Sequence, residues 1–141
     1  MADSLPSHIQ LEIVTPDHPV AREVVSAVTI PGKGGYLGIL PGHAPLLSEL
    51  KMGELAYTRG SFTHYLAVSW GFAEVLPDRV IILAKTAERA ADINVERAER
   101  ARQRAEERLA KFTDLSIDME RARAALERAQ TRLQVARRVG S

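Results

Sequence analysis

Two sets of residues in this chain of 141 have types suited to chemistry. The first is the stretch Gly32-Lys33-Gly34-Gly35-Tyr36-Leu37-Gly38-Ile39-Leu40-Pro41-Gly42-His43-Ala44-Pro45-Leu46, with five of the nine glycines and one of the four histidines. Glycine-rich backbone can cradle phosphate, and a histidine can move protons. Neither mechanism is supported here. No G-x-x-x-x-G-K-[ST] occurs, and no helical pattern comes after it to offer its N-terminus to an anion. His8, His18, His43 and His64 show no metal-ligand spacing, and no serine or acid stands in a nucleophile context. A structural glycine corner, with His43 as a turn residue, is the better reading, and no catalytic residue or metal site is expected.

The second set is arginine. Arg97, Arg104 and Arg108 recur as Arg121, Arg128 and Arg132. Spacings of seven and four put each trio on one helical face. Arginine forks suit phosphate or carboxylate. The competing reading is a solvated face paired with Glu96, Glu99, Glu106, Glu107, Glu120 and Glu127. Acids interleave with the bases and no aromatics accompany them, which argues against nucleic acid.

The elements that carry these sets change at one point. Before Glu88 there are six Lys/Arg, eight Asp/Glu and six of the seven aromatics; from Glu88 onward there are thirteen Lys/Arg and ten Asp/Glu. All seven prolines and every glycine but Gly140 lie in the first part. The boundary falls near residues 86–92, giving ranges 1–88 and 89–141. The net charge of +1 predicts no generic polyanion binder, and no apolar run approaches a membrane span. The N-terminus lacks a basic region followed by an apolar one, so no secretory signal is expected. Zero cysteines exclude disulfides and thiolate chemistry, as suits a cytoplasmic protein.

The first part reads as short strands with turn signals every 8–12 residues. Ile9–Val14 alternates, Glu23–Ile30 is β-branched, and Tyr36–Leu40 is short and broken by Gly38, as at a bulge or close approach. Residues 54–59 and 62–69 form one hairpin, and residues 71–76 and 79–84 another. The expectation is an antiparallel β-sandwich burying Val28, Ile30, Leu66, Val68, Phe72, Val75, Ile81 and Leu83. In the second part, residues 93–109 align with residues 117–133 at an offset of 24, with nine of seventeen positions identical. Both copies are strong helix formers, and Asn94 and Asp118 can cap them. Together they predict an antiparallel two-helix hairpin, hence an α+β chain. The apolar stripes are Val95, Ala98, Ala101, Ala105, Leu109 and Phe112 against Met119, Ala122, Ala125, Leu126, Ala129, Leu133 and Ala136. At about 0.8 kcal/mol per buried CH₂, alanine contacts hold such a pair weakly. The helices can therefore persist while their packing changes, as in a switch.

A sandwich followed by an Ala/Arg/Glu hairpin resembles the epsilon subunit of F-type ATP synthases. The carrier is Gly38-Ile-Leu-Pro-Gly-His-Ala-Pro-Leu46, similar to that family's G-[IV]-x-P-x-H-A-P-[LI]. Gly53, Gly71-Phe-Ala-Glu-Val75 and Thr86-Ala-Glu-Arg89 support it. The resemblance implies a noncatalytic rotor subunit in the central stalk, coupling ion flow to ATP synthesis. Its implied partners are the gamma subunit, the c ring and the alpha and beta subunits. It would lie on the cytoplasmic face of the bacterial inner membrane, reaching the membrane only through the complex. Tyr36, Gly38, Leu40, Pro41, His43 and Pro45 would face gamma and the ring. The hairpin would inhibit ATP hydrolysis when extended. Some bacterial members bind ATP as a regulatory ligand through [IL]-D-x-x-R-A, and no cofactor is otherwise required. The matching positions are Ile93, Asn94 in place of the carboxylate, Arg97 and Ala98, with Glu88, Arg104, Arg121, Arg128 and Arg132. A free-standing nucleotide-sensing binding protein is the alternative.

Overall fold

The computed structural model describes residues 5–139. The first four residues and the last two, which include part of the N-terminal stretch read for a signal and the outer ends of both domain ranges, lie outside the described residues. The chain divides after Arg89 into two compact units.

The first unit is a β-sandwich of eight strands: β1 (Ile9–Val14), β2 (Pro19–Val25), β3 (Ala27–Gly32), β4 (Gly35–Ile39), β5 (Leu46–Leu50), β6 (Gly53–Arg59), β7 (Phe62–Leu76) and β8 (Arg79–Arg89). Turn residues separate them as expected, with Gly60 at φ 62° between β6 and β7. The pairings fall into two layers. One runs β2-β1-β8-β7-β5, and the other joins β4, β3 and β6 to the first half of β7. Neighbouring strands are antiparallel, apart from β1 beside β8, which is parallel.

β7 is the strand that makes two layers from one chain. Residues 62–68 pair with β6, whereas residues 71–75 pair with β5; β8 runs along the other edge of both halves. The inward set also changes phase. Leu66 and Val68 point into the core in the first half, and Ala73 and Val75 in the second. The change occurs at Trp70 (φ 36°) and Gly71 (φ 145°), where the ladder to β8 skips the residue opposite, Lys85. A side chain at position 71 would put its Cβ 1.8 Å from the Leu83 carbonyl oxygen. Only glycine satisfies both the dihedral and the approach.

This phase change corrects the expected core. Val28, Ile30, Leu66, Val68 and Val75 are buried, but Phe72 and Leu83 are about half exposed and Ile81 is only partly buried. Val80, Ile82 and Ala84 of β8 take the inward positions instead. Gly38 also differs from expectation. It pairs with Thr29 in unbroken register, and a Cβ there would meet nothing within 4 Å, so it marks neither a bulge nor a close approach. The end of β8 is tied down. The Arg89 guanidinium donates to the buried Tyr57 hydroxyl at 3.1 Å and to the Val20 carbonyl at 3.3 Å.

The second unit begins with a single turn of 3-10 helix, Ala90–Asp92. Helices α1 (Val95–Ala110) and α2 (Met119–Ala136) form the hairpin. The Asn94 side chain accepts from Arg97 N at 3.0 Å, and Asp118 accepts from Arg121 N at 3.1 Å, so both expected caps form. The turn between the helices is held by Asp114, which accepts from the Ser116 hydroxyl at 2.6 Å and its N–H at 2.9 Å. Those bonds, the hydroxyl's first, hold the Asp114 carboxyl below the usual carboxylate range. Ala98, Ala105, Ala122 and Ala129 are buried, joined by Leu133 and Val135. The rest of the expected stripe is partly buried, except that two members, Phe112 and Val95, are exposed. Phe112 continues the seven-residue series from Ala98 and Ala105, but α1 ends at Ala110 and leaves it exposed. Val95 is the first helical residue, and a helical side chain covers the turn before its own Cα, which is missing there.

Gly71→Ala tests the origin of the two layers. It is expected to destabilise the sandwich by about 3 kcal/mol or more in urea unfolding, since strain and a backbone clash coincide. An unchanged midpoint would show that the strand crossing does not depend on that approach.

Candidate functional site

The arginine pattern becomes a cleft in the hairpin. Arg97, Ala101, Arg104, Ala105 and Arg108 of α1 and Ala125, Arg128, Ala129 and Arg132 of α2 line a depression of about 270 Å³. Its floor is alanine, because the helices meet through Ala105 and Ala129. Its walls are guanidinium groups, with no acid among the lining residues. Small floor residues leave the space, and the long arginine stems rise around it.

Two of the acids that the paired reading counted on lie away from the cleft. Glu99 and Glu106 both pair with Arg102, the latter at 2.7 Å. This trio lines a second groove with Gln130, Leu133, Gln134 and Arg137. Among the described residues, Arg97, Arg104 and Arg108 make no ion pair with an acid. The fully paired charged face is therefore not what forms. One groove collects positive charge and the other mixes both signs.

Of the nine residues singled out for a nucleotide, Arg97, Arg104, Arg128 and Arg132 come together in the cleft. Ala98 is fully buried on α1, Ile93 is buried before the helix, and Asn94 is engaged as its cap. Arg121 stands exposed in the first turn of α2 and does not line the cleft. Glu88 belongs to the sandwich, on β8 opposite Ala67. Arg108 lines the cleft although the nucleotide set omits it. Its signal was present in the repeat, where Arg108 and Arg132 are equivalent.

The glycine-rich stretch occupies one end of the sandwich. Gly42 N donates to the Pro77 carbonyl at 2.7 Å, pinning the loop to the turn between β7 and β8. Tyr36 on β4 is half exposed, its hydroxyl accepts from Glu54 N at 3.1 Å, and Lys51 lies over its ring. Leu40 and Pro45 are exposed and Gly38 offers bare backbone, whereas Pro41 is partly buried. His43 Nδ1 lies 2.7 Å from the Ala44 carbonyl, a local turn bond. Among the described residues, no cluster of three His, Asp or Glu could hold a metal ion.

Comparison with known proteins gives one family over both units. The beta-sandwich domain of the ATP synthase delta/epsilon chain matches residues 8–90, and its long alpha-helix domain matches residues 91–137. An ATP synthase epsilon chain from Koribacter versatilis is 58% identical over 109 residues, 77% of this chain and 74% of that one. One from Syntrophobacter fumaroxidans is 52% identical over 128 residues, 91% and 95% of the two chains. A chain in the Euglena gracilis mitochondrial ATP synthase, solved with OSCP, F1 and c-ring, superposes with a TM-score of 0.80 at 25% identity. That match covers 93% of this chain and 82% of the other.

The charge segregation predicts self-repulsion across the cleft. Arg104 has Arg100 and Arg108 one turn away on either side, and like charges at that spacing destabilise a helix. Arg104→Gln is expected to stabilise the ligand-free hairpin by about 0.2–0.5 kcal/mol in helical CD melts, the gain shrinking as salt rises. A loss of stability would show that Arg104 is held by a partner instead.

Proposed function

Because the chain belongs to the ATP synthase delta/epsilon chain family, we propose that it is a noncatalytic subunit of the rotor. The sandwich docks on the gamma subunit and the c ring, helping couple ion flow to ATP synthesis at the inner face of the bacterial membrane. The stretch from Tyr36 to Pro45, with Tyr36, Gly38, Leu40 and Pro45 exposed and Pro41 and His43 partly buried, supplies part of that docking surface. The hairpin is the regulatory unit. It engages the alpha and beta subunits to slow ATP hydrolysis, and it responds to ATP through the arginine cleft.

The observation that carries this reading is the contrast between the two units. The sandwich is a continuous hydrogen-bonded sheet around a large apolar core. The helix pair is joined mainly through alanine methyls. At about 0.8 kcal/mol per buried CH₂, the pair gains little from staying closed, while each helix is supported by its cap and its own propensity. An anion between the arginines removes their repulsion and favours the closed pair. A ligand that binds one arrangement better shifts the population towards it.

Reconstitution with the alpha, beta and gamma subunits of the same organism tests the proposal. The full chain is expected to copurify with gamma and to slow ATP hydrolysis, with weaker inhibition after preincubation with ATP. A chain ending at Arg89 is expected to assemble but not inhibit. Failure to bind gamma would overturn the rotor reading, and inhibition that survives the truncation would remove the hairpin from it.

A further inference from the structure

Strand β4 stands at the end of its layer and, among the described residues, pairs with β3 alone. That pairing shows which backbone groups remain. Pro31, opposite Tyr36, has no N–H, and its carbonyl accepts from Lys51 N at 3.0 Å, on the side away from β4. Thr29, opposite Gly38, also faces Ala56 of β6. At positions 36 and 38 the paired residues therefore point their groups away from each other, and the N–H and C=O of Tyr36 and Gly38 face out of the sheet. Side chains leave that edge bare. The Tyr36 hydroxyl reaches back to Glu54 N on β6, and a Cβ at Gly38 would meet nothing within 4 Å. The common protections of an edge strand are missing, since Gly35-Tyr36-Leu37-Gly38-Ile39 has no charge, no proline and no bulge. Edges elsewhere are partly closed. On β2 the Val20 carbonyl accepts from Arg89, and Glu23 pairs with Arg59 of β6 at 2.8 Å. On β5 the Glu49 carbonyl accepts from Lys33 N at 2.8 Å.

We propose that β4 is a pairing edge for a second copy of this chain. The register follows from the outward groups. Antiparallel pairing about a two-fold axis at Leu37 sets Tyr36 of each copy opposite Gly38 of the other. Both are outward-facing positions, so the two pairs exchange four hydrogen bonds. Leu37, partly buried against the core, meets Leu37 of the second copy at the axis, where opposed side chains come closest. A slip of one residue would set outward groups against groups already bonded to β3. A slip of two would draw in Leu40, whose carbonyl already accepts from His43 N at 3.2 Å, or Gly34 in the turn. The contact is isologous, so it closes at two copies and does not grow into a fibre. One pair of five-residue strands is a small contact beside the roughly 1,200–2,000 Å² of a stable interface, so the dimer dissociates on dilution. One consequence rests on the reading of residues 36–45 as a docking surface. The paired chain has part of that surface covered until the gamma subunit displaces the second copy.

Sedimentation equilibrium of the full chain from about 1 µM to 1 mM, with amide exchange followed by NMR, tests this. A monomer–dimer equilibrium is expected. The Leu37 and Ile39 amides, bonded to β3, are expected to be protected at every concentration. Those of Tyr36 and Gly38 are expected to gain protection only as the dimer forms. Gly38→Pro removes the outward N–H, and proline is compatible with an edge position whose N–H faces solvent. Gly38→Lys keeps the N–H and sets a charge against the edge of the second copy. Each is expected to weaken the dimer about tenfold or more, as losing two symmetry-related hydrogen bonds does, while Gly38→Ala stays within about threefold. Urea midpoints of the three variants check that the sandwich is intact. A chain monomeric at every concentration would overturn the pairing. A dimer untouched by both Gly38→Pro and Gly38→Lys would overturn β4 as its edge, as would one formed without protection at Tyr36 and Gly38. Added gamma subunit is expected to give a complex holding one copy of the chain. A complex that retains the pair would overturn the displacement, whereas no binding of gamma would overturn the docking reading and leave the pairing to stand.

Discussion

The sandwich depends on one close approach. At Gly71 the backbone of β7 comes so near the Leu83 carbonyl of β8 that no Cβ fits between them. There β7 leaves β6 and takes β5 as its partner, and the inward side chains change from even to odd positions. One fifteen-residue strand can then close both layers over a shared core. Without the phase change, Phe72 would turn inward and Ala73 outward, and two apolar faces could not be formed from consecutive residues of one strand. The same crossing brings β8 along its full length to Arg89, whose bonds to Tyr57 and Val20 fix where the first unit stops.

Beyond Arg89 the balance of forces is different. The sandwich gains stability from burying Leu, Ile and Val; the hairpin buries mainly alanines. Capping and intrinsic propensity support the individual helices, so less of their stability rests on their contact than in a leucine-packed pair. Such a division lets a small change in free energy at the helix interface alter the arrangement without melting the helices. The arginines occupy that interface on one side only, where their mutual repulsion and any anion act directly on the closed pair. Glu99 and Glu106 pair with Arg102 in the other groove, away from Arg97, Arg104 and Arg108.

Much of this was legible in the sequence for identifiable reasons. Strands announced themselves through alternation and punctuation, and both helix starts through Asn94 and Asp118. The repeat foretold the hairpin and most of the cleft, since the identical positions 101, 104, 105 and 108 are those that converge on it. The phase change at Trp70-Gly71 was not legible. A glycine in a strand does not say whether another backbone approaches it, and Gly38 and Gly71 look alike in sequence yet behave oppositely. Phe72, Ile81 and Leu83 were misassigned inward for that reason. The separation of the two charged grooves also needed the helices' mutual rotation. Interleaved Arg and Glu on one helix fit a paired face equally well until a second helix selects which side chains meet.

The central claim is that the helix pair opens and closes while each helix persists, with an anion favouring closure. The chain has no cysteine, so single cysteines at Gln103 and Glu127, both exposed and on different helices, can be spin-labelled cleanly. Pulsed dipolar spectroscopy of the doubly labelled chain in the reconstituted complex measures the claim directly. With ATP present, the distance distribution is expected to be narrow and short. Without it, a second, longer population is expected at unchanged helical content. A single distribution that is the same in both conditions would contradict the account.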